Sequence, residues 1–152
     1  IARAIVDDDD GAVVGMTSVL IGRKELARAR MAVAQALRAS PLLAGSPGVI
    51  ERIRLARDAM APVTDDDLYM SRFAVLPRAR GRGTADTLLT AWIAEGRARG
   101  AARLVADTAA SNERYLAVIA RHGFVVDAVG SAHDPATGRT FENCHVVRPL
   151  SG

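Results

Sequence analysis

The chain has 152 residues, of which 49% are apolar and 4% aromatic, and its formal net charge is +3. This composition excludes a disordered chain, and the length suits one globular domain with an aliphatic core, so we expect a single unit over residues 1–152. Because Cys144 is the one cysteine, an intramolecular disulfide framework is excluded, and with three histidines a Cys/His zinc site is not expected.

The sequence also gives expectations about the cellular location of the protein and about the charge of its partner. No apolar run approaches the ~20 residues that cross a bilayer, and no signal-peptide pattern opens the chain, which predicts a cytoplasmic protein without membrane contact. Whether a segment precedes Ile1 is left open, since the sequence does not begin with methionine. The sequence pI of about 9.7 and the arginines between residues 78 and 103 predict an anionic partner or, alternatively, a solvated basic face.

The first third of the chain predicts a hairpin followed by helices. Ala2 to Val6 and Ala12 to Ile21 alternate as strands around an Asp-Gly turn, whose four aspartates lack the spacing of a calcium loop and suit a solvated turn. Helix formers run from Lys24 to about Ala39, and a second helix is predicted from roughly Gly48 to Met60. This helical pair, residues 24–61, is either a cover for an acceptor pocket or packing.

The remainder of the chain alternates strands and helices, which are marked by apolar spacing, capping residues and β-branched runs. The predicted elements are, in order, a strand from Leu68 to Val75, a helix with a buried stripe around Trp92 that ends at Gly100, a strand from Arg103 to Ala106, a helix capped by Ser111 that runs to His122 before Gly123, and strands from Phe124 to Gly130 and from Thr140 to Val147. This order predicts an α/β or α+β domain with a mixed sheet and helices on its faces.

Residues 77–83 form a predicted glycine loop between a strand and a helix. The first turn of a helix leaves N–H groups unpaired and carries partial positive charge, so such a loop suits a phosphate. Thr84 and Ala85 follow Gly83 where a P-loop needs Lys-Ser/Thr, which excludes that motif. Asp86 occupies the place of the third glycine of a dinucleotide fingerprint, which excludes that one as well.

What remains is Arg78-x-x-Gly81-x-Gly83 directly after Val75-x-Pro77. With Asn112 opening a later helix and Gly123-Phe124 closing it, this pattern resembles the GNAT superfamily of acyl-coenzyme A-dependent N-acyltransferases. The resemblance is close over about residues 68–124 and looser over the terminal hairpins. It implies a mostly antiparallel central sheet flanked by helices, into which this chain inserts its helical pair after the first hairpin.

The resemblance also implies acetyl-CoA as co-substrate, without a metal. In the family the strand before the loop binds the pantetheine arm through its backbone, the loop amides and nearby arginines bind the pyrophosphate, and an asparagine contacts the arm near its reactive end. Helix capping is the alternative role of that asparagine. The implied cofactor-binding residues are Phe73, Ala74, Val75, Arg78, Ala79, Arg80, Gly81, Arg82, Gly83, Thr84, Asn112 and Tyr115.

The residues at the catalytic positions match the family pattern less closely than the cofactor-binding residues do. The family often places a tyrosine that acts as the acid four residues before the glycine of Gly-Phe, and this chain has Ile119 there. Tyr115, one helical turn earlier, is the nearest replacement, and water is the alternative acid. For the base, Ser71 on the strand before the loop is a candidate, as are Tyr69 and the turn of residues 65–67. His122 and His145 lie near these motifs, and as isolated histidines they are expected to be structural.

The sequence therefore predicts an N-acetyltransferase that transfers an acetyl group from acetyl-CoA to an amine of a small molecule or peptide by direct attack. The alternative is a CoA-binding regulatory module with weak or no catalysis, which the replacement by Ile119 favours. Nucleic-acid binding is not expected, because the arginines lack interleaved aromatics. The acceptor itself is not specified by these motifs, and exposed terminal strands permit a homodimer.

Overall fold

The computed structural model describes residues 2–6, 10–39, 60, 62–134 and 137–150. The described part contains six strands, three α-helices and one short 3₁₀ turn. The elements are β1 (Ala2–Val6), β2 (Val13–Ile21), α1 (Gly22–Ala39), β3 (Asp67–Val75), the 3₁₀ turn (Pro77–Ala79), α2 (Thr84–Ala98), β4 (Arg103–Ala109), α3 (Glu113–Arg121), β5 (Val125–Asp134) and β6 (Arg139–Pro149).

The strands form a single six-stranded sheet in the order β1-β2-β3-β4-β6-β5. Every neighbouring pair is antiparallel except β3 and β4, which are parallel. The predicted mixed, mostly antiparallel sheet with flanking helices is thus confirmed. None of the helices in the described ranges is both long and apolar enough to cross a membrane.

The parallel pairing of β3 with β4 is short. It covers four residue pairs, from Asp67 with Arg103 to Met70 with Ala106. Beyond that point β3 continues in register with β2, while β4 continues in register with β6, so the two inner strands separate. Ser71 is the extra residue of a β-bulge, because Val19 of β2 pairs with Met70 whereas Ser18, the residue before it, pairs with Arg72. The separation opens a gap inside the sheet.

Alternation of side chains along β4 assigns the two faces of the sheet to different helices. Leu104 and Ala106 pack in a core cluster with Trp92 of α2 and Ile119 of α3. Val105 points to the opposite face and packs in a second cluster, whose other members include Leu26 of α1 and Tyr69 of β3. Helices α2 and α3 therefore cover one face, and α1 covers the other.

The predicted elements agree with this fold, with some corrections at their ends. The helix predicted from Lys24 begins at Gly22, and the second helix of the pair lies outside the described residues. The prediction that Ser111 caps α3 was wrong. Asn112 is the N-cap, because its N–H bonds the Ala109 oxygen at 2.9 Å and closes a turn before the helix begins.

The terminal hairpin is longer than predicted. Strand β5 runs past Gly130 to Asp134, because Gly130 keeps its place in the ladder opposite Asn143. Strand β6 extends to Pro149, whose position at the strand end requires no interior donor. The prediction for Trp92 is confirmed. Its side chain is buried and stacks on Phe124 with ring centroids 5.0 Å apart.

Asp67 ties the start of β3 to β4. Its buried carboxylate accepts hydrogen bonds from Nε and Nη2 of Arg103, each at 2.9 Å, and from the Thr64 N–H at 2.7 Å. Burial opposes ionisation of this carboxyl, but the bonds from Arg103 and Thr64 outweigh it and hold its pKa below the ordinary value.

We expect Asp67→Asn to lower the free energy of unfolding by about 2 kcal/mol at neutral pH, since it removes hydrogen bonds to a charged group. Because the pKa of Asp67 is lowered in the folded protein, its contribution to the free energy of unfolding is fully present above the ordinary aspartate pKa. This contribution is lost as the pH falls through the lower folded-state pKa. Urea unfolding at neutral and acidic pH measures this. The exposed Asp66→Asn is the control, and a difference between wild type and Asp67→Asn that stays constant with pH would contradict the assignment.

Candidate active site

A pocket of about 120 Å³ fills the gap between the separated strands. It is formed by β3 beyond its bulge, by the end of β4 and by the start of α3. Four residues predicted from the sequence, Ser71, Phe73, Asn112 and Tyr115, line it together. The other lining residues are Met70, Arg72, Ala106, Asp107 and Thr108. This space is called the β3–β4 pocket.

The glycine loop follows β3 directly and leads into α2, as predicted. Gly81 and Gly83 have φ angles of 76° and 81°, which a residue with a Cβ adopts only with strain. A Cβ built on either glycine meets no atom within 4 Å, so the space over the loop is open. The loop is closed from below by Thr84, whose buried hydroxyl donates to the oxygen of buried Ala79 at 3.1 Å.

The three loop arginines differ in their contacts. Arg78 Nη1 donates to Asp10 Oδ2 at 2.8 Å, so the acidic turn after β1 is linked to the loop. The Ala12 N–H and Arg78 lower the pKa of Asp10. Both partners are about half exposed, and solvent screens such pairs strongly, so this one orients Arg78 more than it stabilises the fold. Arg80 Nε donates to the Val75 oxygen at 3.2 Å, and Arg82 is exposed.

The predicted strand segment Phe73, Ala74 and Val75 belongs to β3 beyond the bulge. Its residues pair with Thr17, Met16 and Gly15 of β2, and its other edge faces the gap. In a strand, alternate backbone groups point to the two edges. The inner edge of β3 therefore presents peptide groups to the β3–β4 pocket.

Asn112 stands at the N-cap of α3 but does not cap it with its side chain. Its Nδ2 instead donates to Thr108 Oγ1 at 3.2 Å, on the wall of the β3–β4 pocket. The alternative role of simple helix capping thus does not describe this side chain. Its carboxamide is directed along the pocket wall.

Tyr115 and Ile119 occupy the same side of α3 in different surroundings. Ile119 is 2% exposed in the core cluster. Tyr115 is partly buried at the pocket, where its ring lies 5.3 Å from that of Phe73. Burial raises the pKa of Tyr115 well above its ordinary value, so its phenol keeps its proton at neutral pH.

The other candidates for a base are held in separate contacts. Ser71 Oγ lies 2.8 Å from Ser18 Oγ of β2, and it lines the pocket beside that bond. Asp67 is bound to Arg103, as described above, and Asp65 forms an ion pair with Arg23 at 3.5 Å. His122 Nε2 lies 2.7 Å from Asp86 Oδ1 and joins α3 to α2, in agreement with a structural role. His122 lowers the pKa of Asp86.

One pocket group was missed by the sequence argument. Asp107 on β4 lies opposite His145 on β6, and its Oδ1 is 3.1 Å from His145 Nδ1 and 3.4 Å from Asn143 Nδ2. Both side chains of the Asp107–His145 pair are almost fully buried. The available signal was an acidic residue at the end of a buried strand, but its partner follows only from the pairing of β4 with β6. The structural role expected for His145 is therefore tied to the pocket.

Several solved structures share this fold at low sequence identity. An N-acetyltransferase from Staphylococcus aureus Mu50 superposes with a TM-score of 0.60 at 18% identity, over 95% of this chain and 65% of that one. A ribosomal-protein-alanine N-acetyltransferase from Brucella melitensis superposes with a TM-score of 0.59 at 21% identity, over 95% of this chain and 67% of that one. A GNAT superfamily phosphinothricin acetyltransferase from Sinorhizobium meliloti in complex with AcCoA superposes with a TM-score of 0.63 at 17% identity, over 99% of this chain and 60% of that one.

These likenesses establish the fold, and the chain spans 65% of the length of the Staphylococcus aureus protein and 60% of the Sinorhizobium meliloti one. No curated protein matches the sequence significantly. The family model described as the Acetyltransferase (GNAT) family matches residues 2–124, which is most of the chain. With the glycine loop, the separated strands and the matching fold, this shows that the chain belongs to the GNAT acetyltransferase family.

Proposed function

We propose that this protein is an N-acetyltransferase that transfers an acetyl group from acetyl-CoA to an amine by direct attack. The observation that carries the proposal is the end of the β3–β4 pairing after Met70 and Ala106, which leaves a pocket on the same strand that runs into the glycine loop. A long ligand with a phosphate end and a thioester end suits such an arrangement.

The residues fit acetyl-CoA chemically. The open space over Gly81 and Gly83, with the unpaired N–H groups at the start of α2, suits a pyrophosphate. The inner edge of β3 offers peptide groups to the amides of a pantetheine arm, and Asn112 stands at the pocket where that arm ends. We assign cofactor binding to Phe73, Ala74, Val75, Arg78, Ala79, Arg80, Gly81, Arg82, Gly83, Thr84, Asn112 and Tyr115.

The pocket side chains supply hydrogen bonds at the place of reaction. Bound acetyl-CoA supplies a thioester carbonyl and a thiolate leaving group. Tyr115 keeps its proton, so we assign it the role of a donor toward the departing sulfur, with water as the alternative. Ser71, at the bulge beside the pocket, is proposed to orient the amine or a water.

The acceptor is an amine of a small molecule or a peptide. The Brucella melitensis neighbour acts on a ribosomal protein and the Sinorhizobium meliloti neighbour on phosphinothricin, so proteins of this fold serve both classes. Helix α1, which corresponds to the first helix of the predicted pair, covers the sheet face opposite α2 and α3, so we assign the acceptor to that side. A cytoplasmic location and a homodimer remain predictions.

A CoA-binding module without efficient catalysis is the second candidate. The observation that favours it is Ile119, which is buried in the core where the family often has a tyrosine. Such a module would bind CoA through the same glycine loop but would lack an acid at the sulfur.

Thiol release from acetyl-CoA distinguishes these candidates. We expect the purified protein to acetylate at least one amine of a panel that contains a peptide with N-terminal alanine, spermidine and phosphinothricin, with thiol and acetylated product formed in equal amounts. Measurement uses a thiol reagent and mass spectrometry. Binding of CoA by calorimetry without turnover on any acceptor would support the module instead.

Substitution of the glycine loop tests the pyrophosphate assignment. Gly81→Ala and Gly100→Ala introduce the same strain, since both glycines have positive φ and open surroundings. We expect each to cost about 1–2 kcal/mol of folding stability. Only Gly81→Ala is expected to weaken CoA binding, by about tenfold or more, as loss of one charge-assisted bond predicts. Equal CoA affinities of the two variants by calorimetry would contradict the assignment.

Replacement of the phenol tests the donor. We expect Tyr115→Phe to lower kcat by about tenfold or more, because one hydrogen bond to developing charge is lost. We expect it to change CoA affinity much less, because the variant keeps the ring that packs against Phe73. Because the pKa of Tyr115 is raised, its ionisation should not limit the wild-type rate in moderately alkaline solution. If Tyr115→Phe retains full kcat, water is the donor.

A further inference from the structure

A buried carboxylate oxygen at the pocket lacks a partner. The side chain of Asp107 is 2% exposed, and the residue lines the β3–β4 pocket. Its Oδ1 is held by His145 and Asn143, whereas its Oδ2 is buried without a hydrogen-bond partner among the described residues. A buried acceptor without a bond costs roughly 1–3 kcal/mol, so a group that brings the missing donor would be bound favourably.

Asp107 approaches the pocket from the face of the sheet that α1 covers. On β4 it shares this face with Val105, whereas Leu104 and Ala106 face α2 and α3. The glycine loop leads into α2, and Asn112 and Tyr115 belong to the start of α3. The carboxylate thus lies across the sheet from the elements assigned to the cofactor.

The charged groups around Asp107 come from each element packed there. On β6, His145 Nδ1 must donate to an ionised Asp107, which can only accept. On β3, burial raises the pKa of Tyr69, and the charge of the Asp107 carboxylate and its hydrogen-bonding interaction with the phenol add to this effect, so the phenol stays neutral. The Tyr69 hydroxyl thus lies near this carboxylate, but its geometry does not make a hydrogen bond to Oδ2. Arg30 of α1 and Arg72 of β3 act on Tyr69 in the opposite sense, which places two cations near the same group.

We propose that Asp107 accepts the proton of the attacking amine through Oδ2, and that His145 and Asn143 are positioning residues that fix Oδ1. This rests on the proposed acetyltransferase function. The assignment differs from the base candidates on β3, because those side chains are bonded elsewhere or lie at the pocket without a carboxylate.

The protons and bonds of this step balance. The acceptor ammonium gives one proton to Asp107 Oδ2 and becomes an amine, whose nitrogen lone pair forms the bond to the thioester carbonyl carbon. The C–S bond breaks with its electron pair on sulfur. The second nitrogen proton passes to the sulfur, directly or through water or Tyr115, and Asp107 releases its proton to solvent. The products are the amide, the free thiol and one proton.

The test compares Asp107→Asn with wild type over pH and over acceptor basicity, using the amine that wild type acetylates best. We expect kcat/KM of the variant to be lower by about a hundredfold or more at neutral pH, as loss of a general base predicts. The defect should shrink as the pH rises, because more acceptor is already unprotonated. It should also shrink for hydroxylamine, a weakly basic acceptor. His145→Gln should show the same two trends with a smaller loss in kcat.

Controls separate this role from a structural one. Asp127→Asn, which replaces an exposed carboxylate on β5, should behave as wild type, and the CoA affinity of Asp107→Asn should match that of wild type. A variant defect that is independent of pH and of acceptor basicity would overturn the proposal while leaving the enzyme function intact.

An NMR binding experiment tests the role of Asp107 even if no amine is acetylated. Ethylammonium added to the CoA-saturated protein should shift the His145 ring signals in NMR spectra of wild type and not of Asp107→Asn. No acetylation of any amine by wild type would overturn the proposed function, and no shift of His145 would overturn the role of Asp107.

Discussion

The short parallel pairing of β3 with β4 is the constraint on which the site depends. Each inner strand has a longer antiparallel partnership on its outer side, with seven residue pairs between β2 and β3 and seven between β4 and β6, against four between β3 and β4. Where the bulge at Ser71 changes the course of β3, the outer pairings are kept and the inner one ends. The peptide groups on the inner edges are then left for a ligand, since buried backbone groups need partners.

The sheet separates the two sides of this gap. One face is packed by α2 and α3 around Trp92, and the other by α1 around Tyr69. The glycine loop belongs to the first side, because it begins α2. The Asp107–His145 pair belongs to the second. A transfer between two bound molecules requires that they meet without occupying the same space, and a gap through a sheet allows approach from opposite faces.

Among the described residues, local sequence signals were sufficient to predict the helices, the strands and the position of the glycine loop, and insufficient to predict contacts across the sheet. The positive φ angles of Gly81 and Gly83 and the buried stripe of α2 follow from residues close in sequence. The contact between Asp107 and His145 joins residues 38 positions apart, and that between Arg78 and Asp10 joins residues 68 apart. Such pairs depend on strand register, which residue types alone do not determine.

The same limit explains the cap of α3 and the loop arginines. Ser111 and Asn112 are both good N-cap residues, and the choice between them is made by the turn that Asn112 closes with the end of β4. The arginines were expected as a group at the phosphates, but Arg78 is bonded to the turn after β1 and Arg80 to the end of β3. Arginine spacing therefore indicated the region and not the contacts of each side chain.

Because Ile119 lies in the core, other groups must give and accept the protons of the proposed reaction. A tyrosine there would place its hydroxyl in a cluster that contains Trp92 and Phe124, where an unpaired hydroxyl is costly. Tyr115 reaches the pocket from the preceding turn, yet its raised pKa makes it a better hydrogen-bond donor than proton source. In the proposed mechanism, the carboxylate of Asp107 removes the proton that blocks attack, and the remaining amine proton is then available to the sulfur. That mechanism does not need a strong acid on α3, because the acceptor itself carries the proton that the leaving group requires.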